Sequence, residues 1–117
     1  MGRLTTHVLD TAQGIPARGV RITLSRADGS ERIPLARATT NQDGRVDGPL
    51  LEGESFTPGT YELAFDIDGY FRTQPVEMTD PAFLDLVTIR FTVTDVGGNW
   101  HIPLLVSPWS YSTYRGS

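Results

Sequence analysis

Apolar and polar side chains alternate strictly in separate stretches of this chain. Val20, Ile22 and Leu24 alternate with Arg21, Thr23 and Ser25; Tyr61, Leu63, Phe65 and Ile67 with Glu62, Ala64 and Asp66; and Val87, Ile89, Phe91 and Val93 with Thr88, Arg90, Thr92 and Thr94. A repeat of two residues is the signature of β-strands with one face on a core and the other in water. Turn-forming residues stand between such stretches, at Ala12-Gln13-Gly14, Asp28-Gly29-Ser30, Asp43-Gly44, Glu52-Gly53, Thr57-Pro58-Gly59 and Gly97-Gly98. That spacing predicts an all-β, two-sheet β-sandwich. No stretch sustains a helical period, and the best place for one short helix is Asp68 to Gln74, ending before Pro75. With no internal repeat and no low-complexity linker, residues 1–117 are expected to form a single domain.

Strand geometry also assigns faces to the polar residues. If residues 100–107 are extended, Trp100, Ile102, Leu104 and Val106 share one face and His101, Pro103, Leu105 and Ser107 the other. The same rule applied to residues 4–9 groups His7 with Thr5 and Leu9. His7 and His101 are the only two histidines. Imidazole, with a reference pKa of about 6.5, is the side chain that exchanges a proton near neutrality. A lone strand histidine is nevertheless most often a partly exposed or core-satisfied residue, so both readings stay open at this point. Arg45, after the Asp43-Gly44 turn, would ordinarily be a surface residue. Ser117 carries both a hydroxyl and an α-carboxylate at the end of the sequence, where chains ordinarily fray. Bulky Tyr114 and charged Arg115 beside flexible Gly116 argue instead for a tail that is tied down.

Composition narrows the chemistry. A chain of 117 residues buries roughly 65% of its unfolded surface, enough for a core without staples. There is no cysteine, which removes disulfides, thiolate nucleophiles and Cys-ligated metals. All ten basic residues are arginine, so no amine is present to form a Schiff base, and each cation is a planar guanidinium suited to oxygen anions. A net charge of -4 argues against nucleic acid as a partner. Apolar runs are too short to span a membrane and no secretory leader can be read, so a cytoplasmic location without membrane attachment is expected. Asp43, Asp47, Asp66 and Asp68 read as solvated turn carboxylates rather than metal ligands, and no zinc, phosphate-loop or nucleophile-elbow pattern occurs. Neither metal nor cofactor is expected.

Several segments together resemble the 5-hydroxyisourate hydrolases, the purine-catabolic relatives of transthyretin. They are His7-Val8-Leu9-Asp10-Thr11, Gly14-Ile15-Pro16-Ala17, Thr40-Asn41-Gln42-Asp43-Gly44-Arg45, Gly59-Thr60-Tyr61-Glu62-Leu63, and Pro103-Leu104-Leu105-Val106-Ser107-Pro108 running on to Tyr114-Arg115-Gly116-Ser117. The terminal tetrapeptide is the specific part, because transthyretin-like hormone carriers lack it and the histidines. Where the family commonly reads His-Tyr-His, this chain has Asn99-Trp100-His101, keeping the second imidazole and losing the first.

The resemblance implies a transthyretin-like sandwich whose short helix follows the Tyr61 strand, and hydrolysis of a ring amide of 5-hydroxyisourate without a cofactor. It implies His7, Arg45, His101 and Ser117 as catalytic residues, with Tyr114, Arg115 and Gly116 shaping the substrate site. It further implies a homotetramer, a dimer of dimers with sites in the channel between them. The rival expectation is a transthyretin-like small-ligand carrier or binding module without catalysis.

Overall fold

The alternating stretches become strands in the computed structural model, which describes residues 2–116. In chain order the elements are β1 (Arg3–Asp10), β2 (Ile15–Pro16), β3 (Arg21–Asp28), β4 (Glu31–Thr39), β5 (Leu51–Glu52), β6 (Gly59–Asp66), α1 (Ile67–Phe71), β7 (Leu86–Val93), β8 (Asn99–Val106) and β9 (Tyr111–Thr113). One sheet runs β2-β1-β8-β9, with β5 also paired to β1, and the other runs β4-β3-β6-β7. The expected all-β sandwich with one short helix is therefore the fold observed.

Alternation decides which residues fill the space between the sheets. Leu4 and Val8 from β1 and Trp100, Ile102, Leu104 and Val106 from β8 meet Ile22, Leu24, Leu63, Phe65, Val87 and Ile89 from the opposite sheet, all buried. The grouping of Trp100, Ile102, Leu104 and Val106 on one face is as the period predicts. Among these sheet pairings β1 with β8 is parallel, whereas the neighbours on either side are antiparallel. Thr6 is buried on the inner face of β1, where its hydroxyl donates to the Ile102 carbonyl at 2.6 Å.

The helix differs from the sequence expectation at both ends. It spans Ile67–Phe71 rather than Asp68 to Gln74. Asp66 sets the start, since its carboxylate accepts from the Gly69 N–H at 2.9 Å as an N-cap. Arg72 N–H still reaches the Asp68 carbonyl at 3.1 Å, but after it the chain closes tight turns, Thr73 N–H to Tyr70 and Gln74 N–H to Phe71, and the Thr73 hydroxyl donates to the Tyr70 carbonyl as well. Thr73 thus competes for an acceptor that a continuing helix would use. Strand β4 escaped the periodic reading for a different reason: it is a mostly exposed edge, with Ile33 and Leu35 both outward, and its register to β3 slips beside Pro34.

A buried carboxylate fixes the end of β1. Asp10 is fully enclosed and accepts from the Gln13 N–H at 3.0 Å, the Gln13 side-chain amide at 2.8 Å and the Tyr70 hydroxyl at 2.8 Å. Three donors offset the cost of holding an acid away from water. Burial, reinforced by Asp10, raises the Tyr70 hydroxyl well above its ordinary pKa, so it remains a donor. The helix and the first strand are thereby tied at the end of the sheet away from Thr5.

Candidate active site

Parallel pairing of β1 and β8 brings residues from the two ends of the sequence side by side. Register sets Thr5 opposite His101 and His7 opposite Pro103, so His7 lies diagonally across from His101. Their inner neighbours Leu4, Thr6, Val8, Trp100 and Ile102 are buried. Thr5, His7 and His101 consequently share the outer face of the sheet, half-buried, as the alternation required.

The contacts along this face form a chain. Thr5 Oγ1 lies 2.8 Å from His101 Nδ1, and His101 Nε2 lies 2.6 Å from His7 Nδ1. The two rings are tilted by 20° with centroids 4.8 Å apart. Together with the short N···N contact, that separation describes rings meeting edge to edge through a hydrogen bond rather than by their faces. Both imidazole pKa values are lowered. For His7 the cause is burial and then the Arg45 charge; for His101 it is burial, then His7, then Arg45. Near neutral pH the pair is uncharged and each ring has one proton to place.

Arg45 reaches this face by a turn built around Asn41. The Asn41 side-chain oxygen accepts from the Asp43 and Arg45 N–H groups, its backbone N–H donates to the Arg45 carbonyl at 2.7 Å, and its side-chain amide donates to Asp47 at 2.8 Å. Gly44 has a φ of 72°, a left-handed conformation that a side chain resists, and its carbonyl accepts from the Val8 N–H at 2.8 Å. Docked this way, Arg45 forms a β-bridge with His7. Among the described residues its guanidinium has no carboxylate at ion-pair distance.

The tail returns to the same place. After β9, Gly116 bridges His101, its N–H donating to the His101 carbonyl at 2.7 Å. The register of β9 on β8 continues through this bridge, and the interruption falls at Pro103, which has no N–H to contribute. Gly116 fits closely: a Cβ there would stand 3.0 Å from His101 Cδ2 and 3.2 Å from the His101 carbonyl oxygen. Arg115 lays its guanidinium over the Trp100 ring at 3.7 Å, a cation–π contact that anchors the tail. Tyr114 projects at the rim, 58% exposed. Ser117 lies outside the described residues.

A cleft of about 400 Å³ results, lined by Thr5, His7, Arg45, His101, Tyr114 and Gly116 together with Arg3 and Asn99. Its volume falls in the ordinary range for small-molecule sites. Of the residues named from the sequence, His7, Arg45, His101, Tyr114 and Gly116 converge here, while Arg115 supports the tail from the Trp100 side. Arg3, Asn99 and the turn-building Asn41 were missed, and Thr5, although grouped with His7 by the strand period, was not named as a site residue. The same period extends to Arg3 and Asn99, since Arg3 precedes His7 by four residues and Asn99 precedes His101 by two. Asp66 caps the helix and Asp68 pairs with Arg72 at 2.7 Å. Among the described residues no three His, Cys, Asp or Glu side chains gather around a common point.

Similar proteins share the sequence and the fold over the whole chain. The 5-hydroxyisourate hydrolase of Ralstonia nicotianae is 57% identical over 117 residues, covering 100% of both chains. That of Deinococcus radiodurans is 58% identical over 114 residues, 97% of this chain and 95% of its own. Among solved structures, the 5-hydroxyisourate hydrolase of Klebsiella pneumoniae superposes with a TM-score of 0.82 at 32% identity, covering 100% of each. The crystal structure of (S)-allantoin synthase superposes with a TM-score of 0.93 at 44% identity over 99% of this chain, which spans only 44% of that longer chain. The sequence profile of the HIUase/Transthyretin family matches residues 4–116, and the chain belongs to that family.

Proposed function

We propose that this protein is a 5-hydroxyisourate hydrolase, adding water across a ring amide of 5-hydroxyisourate to give 2-oxo-4-hydroxy-4-carboxy-5-ureidoimidazoline in urate breakdown. One observation carries the reading: among the described residues, two hydrogen-bonded imidazoles and a guanidinium with no carboxylate partner face one cleft, and of the four ring nitrogens only His7 Nε2 lacks a partner. Two hydrolases, one matching 100% of both chains and the other 97% of this chain and 95% of its own, support the substrate.

In this reading His7 is the general base. Its Nε2 takes a proton from a water as the oxygen bonds to the amide carbon, and the pair relays the positive charge to His101. Such proton transfer is worth roughly 10²–10⁴ in rate. Arg45 donates to the carbonyl oxygen as it becomes an oxyanion, worth roughly 10²–10³. Collapse of the adduct breaks the C–N bond, and the departing nitrogen recovers the proton from the imidazole pair. Gly116 and Tyr114 shape the cleft, Arg115 holds the tail, and Ser117 aligns the water. No step requires a cofactor or metal.

The assembly belongs to the same proposal: a cytoplasmic homotetramer, a dimer of dimers, with the open cleft closed off by a neighbouring subunit. Its support is the position of the site on an outer sheet face, where a lone subunit leaves Arg45 and Tyr114 in water. A fully active monomer by light scattering would refute it. The activity itself is tested by following freshly generated 5-hydroxyisourate spectrophotometrically. Decay should accelerate with the protein and slow by at least about 10²-fold for His7→Ala and His101→Ala with unchanged circular dichroism. No acceleration by the unaltered protein would refute the assignment.

A further inference from the structure

The imidazole pair has a third member that neither the family name nor the proposed reaction assigns. Hydrogen bonding constrains where its protons stand. The 2.6 Å contact between His7 Nδ1 and His101 Nε2 holds one proton, and the neutral pair has two neutral arrangements. In the first, His7 Nδ1–H donates to His101 Nε2, His101 therefore carries its own proton on Nδ1, and that N–H points at Thr5 Oγ1, 2.8 Å away. His7 Nε2 is then bare. In the second, His101 Nε2–H donates to His7 Nδ1, His101 Nδ1 accepts from the Thr5 hydroxyl, and His7 carries its proton on Nε2, where it has no basicity to offer the cleft.

We propose that Thr5 is a positioning residue: with the Arg45 cation in the cleft disfavouring an N–H on His7 Nε2, the Thr5 hydroxyl accepts from His101 Nδ1–H and secures the tautomer that leaves His7 Nε2 free as the base. The hydroxyl stays an acceptor throughout the proton transfer. When His7 Nε2 takes the water proton, the Nδ1 proton of His7 shifts to His101 Nε2, and the imidazolium formed on His101 keeps its Nδ1–H on Thr5. Nothing has to rotate. The role is that of the group that orients a catalytic histidine from behind, filled here by a neutral hydroxyl in place of a carboxylate. Among the described residues, the charged side chains that line the cleft with the pair, Arg45 and Arg3, are both cations. A neutral acceptor leaves the imidazoles uncharged in that field, whereas a carboxylate at position 5 would draw a proton onto His101 in the resting enzyme.

The kinetic part of this proposal rests on the hydrolase reading, and its structural part does not. Nitrogen-15 NMR of the histidine rings is recorded on the free, full-length protein at about pH 8, above the reference imidazole pKa of about 6.5. The expected wild-type spectrum shows His101 protonated at Nδ1 and His7 unprotonated at Nε2. Thr5→Val keeps the β-branched shape and removes the acceptor, so His101 should lose its Nδ1 preference; Thr5→Ser should restore it. In the decay assay Thr5→Val should lower kcat about 10- to 100-fold with KM little changed, and Thr5→Ser should recover most of it. A wild-type His101 protonated at Nε2 overturns the proposal without any variant. So does a Thr5→Val spectrum identical to wild type. If the protein failed to hydrolyse 5-hydroxyisourate, the reaction would be reassigned and the NMR result would still decide the role of Thr5.

Discussion

Gly44 places Arg45, and the cost of filling it can be worked out against an internal control. Gly14 and Gly44 have nearly the same backbone, with φ of 69° and 72°. A side chain in that left-handed region costs about 1–2 kcal/mol, and Gly→Ala recovers about 0.4–1 kcal/mol by stiffening the unfolded chain. Those contributions are common to both sites. Gly14→Ala adds nothing else, because no atom lies within 4 Å of its Cβ position. Gly44→Ala would put its Cβ 2.4 Å from the Val8 carbonyl oxygen and 3.2 Å from the Ala17 nitrogen. That carbonyl already accepts from Ala17 at 3.0 Å, and Val8 donates to Gly44 at 2.8 Å, so neither side can retreat without breaking a hydrogen bond. Overpacking costs about 1–3 kcal/mol and each backbone bond lost about 0.5–1.5 kcal/mol. We expect Gly14→Ala to cost about 1 kcal/mol and Gly44→Ala about 3 kcal/mol. Urea unfolding at matched protein concentration should then place the Gly44→Ala midpoint about 1 M below that of Gly14→Ala, for a slope of about 2 kcal/mol/M. Activity should fall only in Gly44→Ala, since only there does the Arg45 bridge to His7 move. Equal midpoints, within about 0.5 kcal/mol after conversion, would show that the turn does not press on β1 and would refute this account of how Arg45 is held.

Arg45→Lys keeps a cation but loses the planar donor fork, so turnover should drop substantially, and Arg45→Ala should drop further; parity of Arg45→Ala with wild type would return Arg45 to an ordinary turn residue. Gly116→Ala should depress activity with little loss of stability, because the added methyl presses on the His101 ring and carbonyl; unchanged kinetics would free the tail from any part in the site. Lowered imidazole pKa values fix the pH response: the base is present above about pH 6.5 and turnover should persist somewhat below it, then decline as pH falls through the lowered values. Stability follows the same sign, since the unfolded chain binds the protons first: the contribution is full above about pH 6.5 and is lost as pH falls through the folded pKa, and a urea midpoint that rises on acidification across that window would contradict it.

Faces were legible in the sequence and register was not. Alternation alone told which side of the alternating strands met the core, and it placed Thr5, His7 and His101 outward because burial of Leu4, Val8, Trp100 and Ile102 leaves no other choice. Strand β4 lacked that signal, being a solvent-facing edge, and the helix ends were decided by Asp66 and Thr73, two side-chain contacts with no periodic trace. The site depends on a further degree of freedom. Sliding β8 along β1 by one residue would turn its apolar set to water and is forbidden by the core. A two-residue slide keeps every face and is forbidden only by how side chains pack, yet it would set Thr5 against Pro103 and remove the acceptor from His101. Nothing in the pattern of apolar residues distinguishes these two registers. What distinguishes them is close packing between the sheets around Trp100 and Ile102 and the bonds that pin the strands, Thr6 to Ile102 in their middle and the Asp10 cluster with Tyr70 and Gln13 at the end of β1. The chemistry of the outer face is thus set to within a hydrogen-bond length by residues of the inner face that never touch the cleft.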